Sequence, residues 1–208
     1  DITIKQNNGD TVADADNANK IEFFLNSSNG SNINTVNLAQ YGVRNNIALT
    51  INGEGSAVVV EQRNDYSASS SLDLLADIAG QDNDVYISQG VYQDNVAINT
   101  VMDVVGNGNI IEIYDGEHIN GSTLIISGSN NMATLCHGNQ TLNLHGSDTN
   151  VYQDTSSEPN SVAKGDIYVD GDMNTIDVVA HLYDDGLSVT ADIDGSFNSV
   201  EMDGDGHG

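Results

Sequence analysis

Cys136 and His137 are the first residues to consider for chemistry, because a thiolate beside an imidazolium is a strong nucleophile. Adjacent residues of a β-strand point to opposite faces, and the alternation around Leu135 predicts a strand here. The two side chains are therefore not expected to meet. The chain also has no Gly-x-Ser-x-Gly sequence, phosphate-binding loop or usable dinucleotide-binding fingerprint. We predict that the protein is not an enzyme.

Closely spaced carboxylates are the second candidate group, because oxygen ligands suit Ca²⁺. Three Asp-x-Asp segments resemble fragments of calcium loops, and they supply Asp170, Asp172, Asp192, Asp194, Asp203 and Asp205. None continues into an EF-hand loop that ends in Glu, and none repeats as the nonapeptide of calcium β-rolls. We interpret them as solvated turns of an acidic protein, with calcium as the alternative and no other cofactor expected. The five His residues are too scattered to predict a zinc site.

The composition predicts an all-β chain that is rich in turns. The 208 residues include 31 acidic and 5 basic ones, for a formal net charge of -26 at pH 7. This charge excludes ordinary nucleic-acid binding, which needs clustered Lys and Arg. Hydrophobic residues make up 38%, which is too many for a disordered acidic chain. No apolar run approaches the roughly 18 residues that span a membrane, so membrane insertion is not expected.

Short alternating segments recur along the chain, and seven fit the template Gly-x-x-[Asn/Ser]-x-apolar-x-apolar. They begin at Gly42, Gly53, Gly80, Gly106, Gly128, Gly171 and Gly195. Their Asn or Ser residues are Asn45, Ser56, Asn83, Asn109, Asn131, Asn174 and Asn198. The gaps of 11, 27, 26, 22, 43 and 24 residues are close to multiples of a unit of about 11 to 13.

The recurrence of Asn at one phase favours a β-solenoid of strand-turn-strand units. In such a fold, equivalent positions stack about 4.8 Å apart, so that Asn and Gln side chains can bond along a ladder. Two units per coil would give a period near 24 and two facing sheets, with a cross-β structure when copies stack into a fibre. The Asn-Gly and Asp-Gly dipeptides are also typical of hairpins, so an antiparallel β-sandwich is the alternative.

A second spacing marks the N-terminal half, where Gln follows six residues after Asn34, Ser56 and Asn83. These glutamines are Gln40, Gln62 and Gln89. The stretch 34–62 (NTVNLAQYGVRNNIALTINGEGSAVVVEQ) resembles curlin repeats, the units of curli-type bacterial amyloid, which read roughly Ser-x5-Gln-x-Gly-x-x-Asn-x-Ala-x3-Gln. The first four marked positions are occupied by Asn34, Gln40, Gly42 and Asn45, with Asn in place of Ser.

A second copy runs through Asn83, Gln89, Asn95 and Ala97, with Gly90 one residue early. The resemblance covers about 33–101. Later segments keep the rhythm but carry Asp115, His137 and Ala180 where Gln would stand.

The resemblance implies a secreted, self-polymerising subunit of a biofilm fibre, with adhesion to surfaces. The partner would be further copies of the chain, and a nucleator or a secretion-pore protein would be a second partner. The acidic composition, the few Lys and the start at Asp1 without a leader suit a mature, extracellular, cell-surface protein. We predict that a self-assembly ladder consists of Asn34, Gln40, Asn45, Ser56, Gln62, Asn83, Gln89, Asn95, Asn109, Asn131, Asn174 and Asn198.

Two regions depart from the repeat. Residues 1–32 fit the template poorly and are interpreted as an N-terminal strand and cap, or as a secretion-type segment. Residues 33–208 form the repeats, with a loop excursion at 153–164 that contains the single proline, Pro159.

The alternative function is a secreted β-solenoid adhesin or a calcium-stabilised surface-binding module. A polysaccharide-active β-helix enzyme is disfavoured because the chain has no Trp for sugar platforms.

Overall fold

The computed structural model describes residues 2–7, 19–26, 35–41, 45–64, 70–91, 96–115, 121–136, 139–154, 163–182 and 187–206. Within these ranges the regular elements are all β-strands. The seventeen strands are β1 (Ile2–Asn7), β2 (Asn19–Asn26), β3 (Thr35–Tyr41), β4 (Asn45–Asn52), β5 (Ala57–Asn64), β6 (Ser70–Ala79), β7 (Asp84–Val91), β8 (Val96–Val105), β9 (Ile110–Asp115), β10 (Gly121–Ser127), β11 (Met132–Cys136), β12 (Asn139–His145), β13 (Asn150–Asp154), β14 (Ala163–Asp170), β15 (Thr175–Leu182), β16 (Leu187–Asp194) and β17 (Ser199–Gly206).

The odd-numbered strands form a nine-stranded sheet, called sheet A here, and the even-numbered strands form the eight-stranded sheet B. In both sheets each strand pairs in parallel with the strand two places further along the chain. Because consecutive strands alternate between the sheets, two strands make one coil, and the fold is a β-solenoid. This confirms the predicted fold class. Asn52-Gly53 and Asp170-Gly171, which suggest hairpins in the sequence, instead begin turns from sheet B to sheet A, so the antiparallel alternative is wrong.

The core lies between the two sheets and is built from columns of equivalent side chains. Inward residues alternate with outward ones along each strand, as in β4, and inward residues of neighbouring strands share one register. One column of sheet A contains Val36, Val58, Val85, Ile111, Ala133, Val151, Ile176 and Val200. Val85 and Ile111 are fully buried in this column. Each such side chain contributes about 1.5–3 kcal/mol, so the stack of columns is the main source of stability.

From β4 onward, each turn from sheet B to sheet A is a tetrapeptide that starts with Gly and ends with Asn, Ser or Thr, and these turns are called the Gly corners here. They occupy 53–56, 80–83, 106–109, 128–131, 146–149, 171–174 and 195–198. Their third residue is left-handed, with φ from 54° at Asp82 to 69° at Gly108. In the six corners after the first, this first residue must be Gly because a Cβ on Gly106, for example, would lie 1.7 Å from the carbonyl oxygen of Gly80 in the preceding corner.

The template that the sequence suggested mixes two kinds of turn. Six of its seven copies are Gly corners, but the copy at Gly42 leads from β3 to β4, at the opposite side of the coil. The template also missed the corner 146–149, because Thr149 stands there instead of Asn or Ser and Gln153 stands at the second apolar position. The apparent gap of 43 residues between Asn131 and Asn174 is therefore two coils and not one.

The connections from sheet A to sheet B vary in length and lie mostly outside the described residues. Successive Gly corners are consequently 18 to 27 residues apart. The predicted excursion at 153–164 falls on one of these connections, of which 155–162 lie outside the described residues.

Candidate functional site

The Gly corners carry a ladder of asparagine side chains, called the Asn ladder here. Asn109 is fully buried, and its Oδ1 accepts hydrogen bonds from the backbone N–H of Asn83 (3.1 Å) and from Nδ2 of Asn83 (3.1 Å). Nδ2 of Asn109 donates to the carbonyl oxygen of Gly80 (3.2 Å) in the preceding coil and to Oδ1 of Asn131 (3.2 Å) in the following one. One carboxamide thus links three coils. Such an amide ladder requires equal stacking at every coil, which is why Asn recurs at one phase.

The Asn ladder consists of two runs, Asn83-Asn109-Asn131 and Asn174-Asn198. Ser56 begins the first run by donating its backbone N–H to Oδ1 of Asn83 (3.0 Å), and Thr149 does the same to Oδ1 of Asn174 (3.0 Å). Neither residue offers a carboxamide oxygen to the coil before it. The hydroxyl of Ser56 is buried without a hydrogen-bond partner. Ser56 and Thr149 therefore mark the weak points of the ladder.

Glutamines form a second ladder at the other side of the core, called the Gln ladder here. Nε2 of Gln40 donates to Oε1 of Gln6 (3.1 Å), Nε2 of Gln62 donates to Oε1 of Gln40 (3.1 Å), and Nε2 of Gln89 donates to Oε1 of Gln62 (2.7 Å). Gln40, Gln62 and Gln89 are essentially fully buried. The second N–H of two of these amides donates across the core, from Gln40 to the carbonyl oxygen of Asn46 and from Gln62 to that of Asp73. The ladder thus joins neighbouring coils and also sheet A to sheet B.

Gln6 is a member of the Gln ladder that the sequence interpretation missed. The spacing rule required Asn or Ser six residues before the Gln, so it could not be applied to Gln6. A shorter signal would have found it, because Ile2-x-Ile4-x-Gln6 repeats the pattern of Val58-x-Val60-x-Gln62.

Asn45 does not belong to either ladder, although it is fully buried. Its Nδ2 donates to the backbone carbonyl oxygens of Gln40 (3.3 Å) and Arg63 (3.2 Å), near the ends of β3 and β5. Asn45 therefore satisfies backbone acceptors at the turn opposite to the Gly corners. Asn34 and Asn95, the remaining predicted ladder residues, lie outside the described residues.

The predicted calcium residues lie on the surface of the last coils. Asp170, Asp192 and Asp194 line a depression of about 290 Å³ on sheet B together with His145 and Tyr168. Nδ1 of His145 is 3.8 Å from Oδ2 of Asp170. Oδ1 of Asp172 instead accepts the backbone N–H of Ser196 (2.6 Å), and Asp203 is exposed on β17. The side chain of Asp205 is not described. Among the described residues, no group of three or more His, Cys, Asp or Glu side chains is placed to hold a metal ion.

The candidate nucleophile lies at the end of β11. Cys136 is the last residue of β11, where its backbone is in register with Tyr114 and Asp154. Its side chain and His137 lie outside the described part of the chain.

The outer faces of both sheets are acidic, and several carboxylates stand in register. Asp77 is paired with Asp103 on sheet B, and Asp177 is paired with Glu201 on sheet A. A basic residue offsets one carboxylate near the first coil, where Lys20 donates a hydrogen bond to Glu22 and lowers the pKa of that carboxyl. Like charges about 4.8 Å apart repel each other, so the backbone and amide ladders hold the stack against the charge of its surface.

No helix long and apolar enough to cross a membrane occurs in the part of the chain that the structure describes. Comparison with known proteins finds no match, whether among family models, curated proteins or solved structures. The resemblance to curlin repeats therefore stays a prediction from the sequence.

Proposed function

We propose that the chain is the structural subunit of a self-assembling, extracellular, amyloid-like fibre of the curli-like kind, which serves as biofilm matrix and in surface adhesion. The observation that carries the proposal is the difference between the interior of the solenoid and its two ends. Met202 on β17 is 48% exposed, although Val178, its neighbour in the same column, is 1% exposed. At the other end, Ile2 is 41% exposed and its neighbour Val36 is fully buried.

The backbone at both ends supports the same proposal. In the described ranges, no strand pairs with the outer edge of β1 or β2, nor with that of β16 or β17. Edge strands of this kind present a row of N–H and C=O groups that another chain can satisfy by β-augmentation. A further copy would add parallel strands at the spacing of the existing coils, and would bury the exposed members of the apolar columns.

The extracellular setting and the role in a biofilm rest on the resemblance to curlin repeats and on the acidic composition. A nucleator or a secretion-pore protein belongs to the same inference. Self-association is the part that the geometry supports directly, because it requires only the edges and columns described above.

Electron microscopy of the purified chain in saline tests this function. Unbranched filaments that bind an amyloid dye and give a cross-β reflection near about 4.8 Å are expected. Persistent monomers at high concentration and physiological salt would contradict the proposal.

The alternative is a secreted surface-binding module that calcium stabilises, and three of its candidate residues line the acidic depression on sheet B. Its lining includes the carboxylates of Asp170, Asp192 and Asp194, which are the ligand type that Ca²⁺ prefers. A rise in the melting temperature at micromolar calcium, absent at matched ionic strength of sodium, would support that alternative. Equal effects of the two salts would remove it.

A further inference from the structure

We propose that neighbouring copies in the fibre join through sheet A alone, with β17 of one copy in register with β1 of the next, and that each junction leaves one strand position of sheet B open. This inference rests on the proposed function. It follows from the strand count of the described residues, in which sheet A has nine strands and sheet B has eight. Within these residues the solenoid ends on a half coil, and sheet A provides the outermost described strand on both sides.

The strand count decides which edges can meet. If β16 of one copy paired directly with β2 of the next, β17 and β1 would have to occupy the same position in sheet A. Two intact copies can avoid this clash only when β17 pairs with β1. The next strand of sheet B is then two strand spacings from β16, about 10 Å, which is a slot one strand wide.

The columns of the solenoid fix the register of the junction. Ile2 begins the column of sheet A that ends at Val200, and Ile4 begins the column that ends at Met202. Continuing these columns places Val200 against Ile2 and Met202 against Ile4, so that each contact covers one exposed apolar residue, Ile2 or Met202, with a half-buried one. On the outer face the same register places Glu201 beside Thr3 and Asp203 beside Lys5.

The charge distribution favours this head-to-tail arrangement. Lys5 and Asp203 are both exposed, and they are opposite in sign. Residues 1–63 carry 4 basic and 7 acidic side chains, a net charge of -3, whereas residues 64–208 carry 1 basic and 24 acidic ones, a net charge of -23. A head-to-head contact between two C-terminal ends would bring Glu201 and Asp203 of both copies together. A head-to-tail contact instead brings the strongly acidic end to the end that is nearly neutral.

Charge exchange at the junction is the first test. Lys5→Glu and Asp203→Lys are each expected to slow filament elongation at 0.05 M salt. Lys5→Glu places two carboxylates opposite each other and is expected to slow elongation by about fivefold. Asp203→Lys places two lysines opposite each other. The double variant Lys5→Glu/Asp203→Lys restores an opposite-charge pair and is expected to recover the rate. Lys20→Glu, which lies on sheet B, is the matched control and is expected to change the rate less. Slow growth of the double variant, or equal slowing by the control, would overturn the pairing.

Disulfide trapping is the second test, carried out in the Cys136→Ser background. Thr3→Cys/Glu201→Cys is expected to form disulfide-linked oligomers within filaments. Thr3 and Glu201 are eight strand spacings apart in one chain, about 38 Å, so such a disulfide must join two copies. Asp177→Cys/Glu201→Cys, whose positions are register partners within the chain, is the positive control. Thr3→Cys/Asp203→Cys is displaced by two residues, beyond about 7 Å, and is the control for register.

Thiol labelling distinguishes the two sheets in the same background. Met202→Cys is expected to lose reactivity on assembly, whereas Ala191→Cys, which faces the open slot, is expected to keep it. Wild-type protein that forms no filaments would refute the proposed function itself. Filaments without the Thr3–Glu201 disulfide, or with both thiols protected alike, would leave the fibre intact and overturn the junction through sheet A.

Discussion

The hydroxyl of Thr100 donates a hydrogen bond of 2.5 Å to Oε1 of Gln89 and thereby ends the Gln ladder. Both residues lie in one coil and are essentially fully buried. In each earlier coil the glutamine oxygen accepts from the glutamine of the next coil, but β9 has Asp115 at the position in register with Gln89. Thr100 supplies the donor that the missing glutamine would have supplied. The change from Gln to other residues in the second half is therefore accommodated by one buried hydroxyl.

Removing this hydroxyl is expected to destabilise the fold. Thr100→Val keeps the size of the side chain but leaves Oε1 of Gln89 buried without that donor, which costs about 1–3 kcal/mol. Thr123→Val, on the outer face of the neighbouring strand β10, is the matched control and is expected to be nearly neutral. Urea denaturation of the unassembled protein measures the free energy of unfolding of both variants. A loss for Thr100→Val no larger than that for Thr123→Val would mean that the hydroxyl does not end the ladder.

Joining the two runs of the Asn ladder is expected to stabilise the protein. In Thr149→Asn, the new Oδ1 is placed to accept from the backbone N–H and from Nδ2 of Asn131. The new Nδ2 is placed to donate to Oδ1 of Asn174. The free energy of unfolding is expected to rise by about 1 kcal/mol. Thr141→Asn, on the outer face of β12, has no ladder to join and is expected to lower stability slightly. The midpoints of thermal unfolding compare the two variants, and a higher midpoint for Thr141→Asn would refute the geometry.

The Gly corners are expected to tolerate no Cβ at their first residue. Gly106→Ala would place its Cβ 1.7 Å from the backbone oxygen of Gly80, so backbone must move, with an expected loss of about 3 kcal/mol or more. The Cβ of Gly55→Ala would meet open space, but residue 55 has φ of +63°. The left-handed backbone is therefore the only cost, and it lowers the free energy of unfolding by about 1–2 kcal/mol. Gly90→Ala, whose nearest contact would be Cγ of Arg63 at 3.9 Å, is the control. Guanidinium denaturation that ranked the three variants in another order would contradict the corner geometry.

Much of the architecture follows from the sequence, since the phase of Asn and Gln reflects a bond between equivalent positions of successive coils. Positions that depart from the ladder residue type escape such a pattern. Thr149 stands in one corner without the carboxamide that Asn would supply, and Thr100 replaces a glutamine as hydrogen-bond donor from another strand. Asn45 fits the template in sequence but binds backbone carbonyls at the opposite turn. Local spacing cannot separate Asn45 from the ladder asparagines, because they differ in which side of the coil the residue occupies.

Assembly is expected to depend strongly on salt and pH. Copies that each carry a net charge of -26 repel one another, and the Debye length falls from about 30 Å at 0.01 M salt to about 8 Å at 0.15 M. Lowering the pH toward the sequence pI of about 4.1 also removes charge. Elongation followed by dye fluorescence should be slow in dilute neutral buffer, and faster at higher salt or near pH 4. Rates that are indifferent to both conditions would contradict the electrostatic account.

The axial repeat of the filaments tests the central claim most directly. Helical reconstruction by electron cryomicroscopy measures the rise per subunit and the direction of the strands. Stacking through β17 and β1 predicts strands perpendicular to the axis and a rise of nine strand spacings, about 43 Å. A rise of eight spacings, about 38 Å, would mean that sheet B continues and that β1 or β17 is displaced. Strands that run along the fibre axis, or preparations that contain only monomers, would contradict end-to-end stacking altogether.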